Sequence, residues 1–101
     1  MKFEINENKL DKIIFRYLDG KNFIIKETDN FYYFFENESD EYVEIKVRKR
    51  DMSCFIRYEL SDEIKSFFTI DNLKVKDVLK KYINNILNVK ITNSYDSINW
   101  R

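Results

Sequence analysis

Tyr42-Val43-Glu44-Ile45-Lys46-Val47-Arg48-Lys49-Arg50-Asp51-Met52-Ser53-Cys54-Phe55-Ile56-Arg57-Tyr58 is the stretch from which the fold is read. Val43, Ile45 and Val47 alternate with Tyr42, Glu44, Lys46 and Arg48. Met52, Cys54, Ile56 and Tyr58 then alternate with Ser53, Phe55 and Arg57. A period of two marks a strand with one buried face. A tight turn at Arg50-Asp51 pairs Val47 with Cys54, Ile45 with Ile56 and Val43 with Tyr58, so like meets like on both faces. The outer face then sets Glu44 opposite Arg57 and Lys46 opposite Phe55.

Upstream, Asn22 to Thr28 and Phe31 to Asn37 are aromatic and β-branched runs separated by Asp29-Asn30, a dipeptide suited to a hairpin turn. The register of the second run is left open by the loop from Glu36 to Glu41. Further upstream, Leu10, Ile13, Ile14, Tyr17 and Leu18 form the stripe of an amphipathic helix over 9–19, with Asn8 as cap and Gly20 at the left-handed C′ position.

Downstream, Ser61-Asp62-Glu63 predicts a short helical turn carrying Phe67 and Phe68. Asp71 predicts a longer helix whose stripe is Val75, Val78, Leu79, Tyr82, Ile83, Ile86 and Leu87. Val89-Lys90-Ile91 is a candidate edge strand. A meander with one buried face needs cover, and the flanking helices are the cover available. The expected fold is α+β, α-β-β-β-β-α: a four-stranded antiparallel meander with N- and C-terminal helices on one face and the other face open. The whole of 1–101 reads as one domain, with 92–101 as a candidate tail.

Composition narrows function mainly by subtraction. The 101 residues include no His, no Pro, one Gly and one Cys. Phosphate loops and dinucleotide fingerprints need several glycines, so the lone Gly20 excludes them. Cys54 has no second cysteine to pair with and no histidine to activate it, and no cofactor or metal motif is present; Glu36 to Glu41 lacks the spacing and glycine of a calcium loop. No carboxylate pair stands out by spacing, so the chain is expected not to be an enzyme. Lys plus Arg and Asp plus Glu are 18 each, so any electrostatic role must come from a local cluster. No run is long and apolar enough for a membrane span, no signal peptide is evident, and the single cysteine suits a reducing compartment; the expectation is a cytoplasmic protein without membrane contact. The abundance of Lys, Asn, Ile, Phe and Tyr fits an AT-rich genome and weakens arguments from enrichment.

The candidate binding residues are Tyr42, Lys46, Arg48, Phe55 and Arg57 on the outer sheet face, joined by one or two of Tyr32, Tyr33 and Phe34, and Trp100 near the end of the sequence. Two readings follow. The first is a non-catalytic protein-binding module, an accessory, inhibitor or immunity-type protein, because exposed aromatics and clustered charge remain once the chemistry-bearing residues are absent. The alternative is a single-stranded nucleic-acid module, because rings stack bases while Lys and Arg hold phosphates. Against both stand the ordinary roles of these residues: aromatics favour exposed strands, and the cations of Lys46 to Arg50 and the anions of Glu36, Glu38, Asp40 and Glu41 resist aggregation at turns. Lys74, Lys76, Lys80 and Lys81 read as a solvated helix face.

Overall fold

A computed structural model describes residues 7–37 and 42–97. The expected acidic turn at Glu38, Asp40 and Glu41, and Trp100, lie outside the described residues. Among the described residues the order is α1 (Glu7–Asp19), β1 (Ile24–Glu27), β2 (Phe31–Phe35), β3 (Ile45–Arg48), β4 (Ser53–Arg57), α2 (Tyr58–Phe68), α3 (Asn72–Leu87) and β5 (Asn93–Ser97). The strands form one sheet in the order β1-β2-β3-β4-β5. The first four strands are the expected antiparallel meander, while β5 runs parallel to β4. Among the described residues the helices lie on one face of the sheet and no helix covers the other.

The β3–β4 register matches the sequence: Ile45 faces Ile56, Val47 faces Cys54 and Lys46 faces Phe55. Ile45, Val47, Cys54 and Ile56 are fully buried and join Ile14 and Leu18 of α1, Leu60 and Ile64 of α2, and Val75, Val78, Leu79 and Ile83 of α3 in one core. In β2, Phe34 turns inward opposite Ile45 and Tyr32 opposite Val47, so Tyr33 faces outward with its neighbours Phe31 and Phe35.

Four local expectations are corrected. Gly20 does not adopt a positive φ; the turn tightens through Gly20 N–H to Arg16 O and Lys21 N–H to Leu18 O, and Asn22 takes the left-handed conformation at φ 52°. On α1, Ile14 and Leu18 are buried and Leu10 and Tyr17 pack against the core as the stripe requires, but Ile13 is exposed and Asp11 takes a buried place on the inward side. Helix α2 starts at Tyr58, not at a Ser61 cap, because Leu60 and Ile64 must both reach the core; Ser61 is buried inside the helix and its hydroxyl has no partner among the described residues. Strand β4 therefore stops at Arg57, and Tyr58 does not extend the ladder to Val43.

The end of α3 is set by chemistry legible in the sequence. Asp71 caps it, its carboxylate accepting the Lys74 backbone N–H at 2.8 Å. Asn88 ends it in the left-handed conformation. Beyond it, Val89-Lys90-Ile91 is not a strand. Asn84 accepts the Ile91 N–H at 2.7 Å, Ile91 fills the core, and Asn93–Ser97, inside the expected tail, forms β5.

Candidate functional site

The open face is built by the pleat. Each inward core residue of β2, β3 and β4 forces its neighbours outward, and the pairing then aligns outward residues across strands. Lys26 faces Tyr33, Tyr33 faces Lys46, Lys46 faces Phe55 and Phe55 faces Tyr95. A straight row thus crosses every strand: cation, ring, cation, ring, ring. Phe31 and Phe35 flank Tyr33 along β2, with ring centroids 5.6 and 6.4 Å from it. Phe55 and Tyr95 stack at 5.5 Å with 27° between their planes.

The cations lie at ring height. The Lys46 ammonium is 5.1 Å from the Phe31 centroid and 5.7 Å from that of Phe55, and the Arg48 guanidinium is 5.2 Å from Phe55. Lys26 lies 5.5 Å from the Phe35 ring. Burial, and then the neighbouring Arg48 guanidinium, lower the Lys46 pKa below the ordinary lysine value.

Carboxylates sit at the margins of this face. Asp51, in the turn, takes two hydrogen bonds from Arg48 at 3.1 and 2.9 Å, and that pairing holds its carboxyl well below the usual range. Glu44, just before β3, is paired with Arg57 at 3.3 Å, as the predicted register requires, and Glu59 approaches Arg57 at 3.5 Å. The Arg57 guanidinium also lies 4.7 Å from the Tyr42 ring. Of the predicted residues, Lys46, Arg48 and Phe55 are therefore brought together, while Arg57 and Tyr42 form a separate, internally paired cluster at the strand ends. Lys26, Phe31, Phe35 and Tyr95 were missed. Their placement depends on the β2 register and on a polar fifth strand, neither of which hydrophobic periodicity reveals.

The lysines of α3 are not simply a solvated face. Lys74 and Lys81 both bond Asp11 of α1, at 3.0 and 3.2 Å, and Lys81 also pairs with Asp77 at 3.1 Å. At the other end of α1, Lys21 bridges Glu36 at 3.0 Å and Glu63 at 2.7 Å, and the Tyr17 hydroxyl donates to Glu63. These contacts tie helices to one another and to the sheet. The helical side also exposes Phe67 and Leu73, at 66% and 78%, near the α2–α3 corner.

Cys54 is fully buried, and burial pushes its thiol up from 9.0 to about 11, opposite to the shift a nucleophile needs. This has a consequence for stability. In the unfolded chain the thiol ionises near its ordinary value, whereas in the folded chain it stays protonated. Its contribution is therefore fully present below pH 9.0 and is lost as pH rises toward about 11. Burial also raises Tyr82, helped by its hydrogen bond to Asp19 at 2.8 Å, so its phenol adds a loss of the same sign from its ordinary value of 10.0 upward. Urea unfolding of the wild type is expected to weaken by about 3 kcal/mol between pH 9 and 11, about 2 kcal/mol of it from the thiol. In Cys54→Ala the decline should begin about a pH unit later; coincident pH profiles would show that the thiol does not contribute.

Among the described residues no three His, Cys, Asp or Glu side chains are grouped to hold a metal ion, and no helix is long and apolar enough to cross a membrane. Comparison of the chain with protein-family models, curated proteins and solved structures found no match.

Proposed function

We propose that this chain is a non-catalytic binding module, of the accessory, inhibitor or immunity type, that works in the cytoplasm by laying its open sheet face against a macromolecular partner. The observation that carries the reading is the outward-facing row of Lys26, Tyr33, Lys46, Phe55 and Tyr95, with Arg48 beside it. Half-exposed rings and cations are the side chains that contribute most at interfaces, and here one rigid sheet presents them together. A protein surface rich in carboxylates is one occupant that suits this face. A single strand of nucleic acid is a second, favoured by the rings and cations set together along the row.

The test is capture from a lysate of the source organism on three immobilised proteins: wild type, Lys46→Glu/Phe55→Ser on the face, and Leu73→Ser at the helix corner. Wild type and Leu73→Ser are expected to retain the same material and the face variant to lose it. Treating the captured material with protease and with nuclease identifies its class. Retention by all three proteins, loss only with Leu73→Ser, or no specific material at all would overturn the reading.

A further inference from the structure

We infer that the occupant of the open face is single-stranded nucleic acid, lying across the strands along the row from Lys26 to Tyr95. The inference rests on the binding-module reading above and names its ligand. Neighbouring strands are about 4.8 Å apart, so the row is about 19 Å long, enough for roughly four nucleotides. A single strand offers planar bases beside a charged backbone, and the row offers cation, ring and cation followed by two adjacent rings. Among the described residues no carboxylate stands in it. Asp51 and Glu44 lie beyond the ends of β3, each engaged by an arginine.

The state of the cations supports the same ligand. Lys46 rests between the rings of Phe31 and Phe55, partly desolvated and beside Arg48. A phosphate over this point would relieve the repulsion between the two cations. The ammonium would exchange its ring contacts for the charge-assisted contact with the phosphate. Duplex fits less well, since its bases are stacked away inside and cannot lie on Phe55 or Tyr95. A protein partner would need carboxylates and flat apolar groups in the matching order along a straight line.

The probes are a fluorescein-labelled mixed-sequence 12-mer, as single-stranded DNA and as RNA, the matching DNA duplex, and a polyglutamate peptide, each followed by anisotropy with the full chain. At least one single strand is expected to bind at 50 mM salt, about tenfold more tightly than duplex. If Lys26, Lys46 and Arg48 neutralise about three phosphates, the log–log salt slope is about −2 and affinity falls about 20-fold from 50 to 200 mM. Phe55→Ala should weaken binding about tenfold. Lys46→Gln, which removes the charge and keeps the stem as far as Cδ, should make the slope shallower by about 0.7. Circular dichroism confirms that each variant is folded. Absence of binding at 50 mM, equal affinity for duplex, or binding of polyglutamate that displaces the oligonucleotide with equal affinity would each overturn the inference. Failure here together with protease-sensitive capture lost from Lys46→Glu/Phe55→Ser would leave the binding-module reading standing with a protein partner; failure of both assays would remove both.

Discussion

Phe34→Ala is expected to lower the unfolding free energy by about 4 kcal/mol, a large share of the roughly 5–15 kcal/mol of a domain this size. Phe34 is the largest fully buried side chain among the described residues, sits on β2 between Ile25 and Ile45, and meets Phe23 edge to face at 5.9 Å. Truncation removes the transfer free energy of the ring and leaves a cavity that a sheet held on both sides cannot close. The comparison that matters is with its neighbours. Tyr33 and Phe35 point to the open face, so Tyr33→Ala and Phe35→Ala are expected to cost about 1 kcal/mol each, the scale of a cross-strand pair. Urea titration reads all three, with unchanged denaturant slopes showing that the unfolding reaction is the same. A one-residue slip of β2 would exchange the roles of the two sets. If Phe35→Ala or Tyr33→Ala proved the costlier, the aromatic row would be pointing inward and the candidate face would not exist.

That comparison also marks where the sequence stops being informative. From Tyr42 to Arg57 polar and apolar residues alternate, so burial can act in only one register; the β3–β4 pairing, the Glu44–Arg57 contact and the positions of Lys46, Arg48 and Phe55 follow from it. Phe31-Tyr32-Tyr33-Phe34-Phe35 has no such alternation. Either face of that strand could be buried, and the choice falls to packing of Phe34 against Phe23 and Ile45, contacts between segments that the local sequence does not link. Asn93-Ser94-Tyr95-Asp96-Ser97 is silent for a different reason. An edge strand parallel to β4 is held by backbone pairing and by contacts such as Ser94 to the Lys76 carbonyl at 3.2 Å, which need no apolar pattern.

The helices divide in the same way. Asp71 and Asn88 bound α3 because local chemistry and burial agree there. At Ser61 they disagree, and burial of Leu60 and Ile64 moves the start of α2 back to the end of β4. The candidate face inherits this split: its β3–β4 half was legible, while Lys26, Phe31, Phe35 and Tyr95 emerge only once the β2 register and β5 are known.

Asp11 is expected to be the costliest polar position. It lies on the inward side of α1, 5% exposed, where the stripe would otherwise be apolar, and its two oxygens take the Lys74 and Lys81 ammonium groups from positions two turns apart on α3. Below this bridge the same pair of helices is joined by Phe15 on Tyr82 at 5.6 Å and by the Tyr82 hydroxyl on Asp19. Asp11→Ala leaves two cations facing a half-buried seam without their shared anion, and the expected loss is about 2 kcal/mol, less than for a fully buried pair because Lys81 remains open to water. Lys74→Met/Lys81→Met should cost more, about 3 kcal/mol, because the stranded charge is then the buried one. Replacing the whole cluster, Asp11→Leu/Lys74→Met/Lys81→Met, is expected to recover most of that loss, since desolvation of all three groups is avoided while the volume stays filled. Urea titration of the three variants at low and high salt tests the cycle. Losses below about 0.5 kcal/mol for Asp11→Ala, or a triple variant no more stable than the double, would mean that the seam is held by Phe15 and Tyr82 and that the carboxylate is only a passenger on α1.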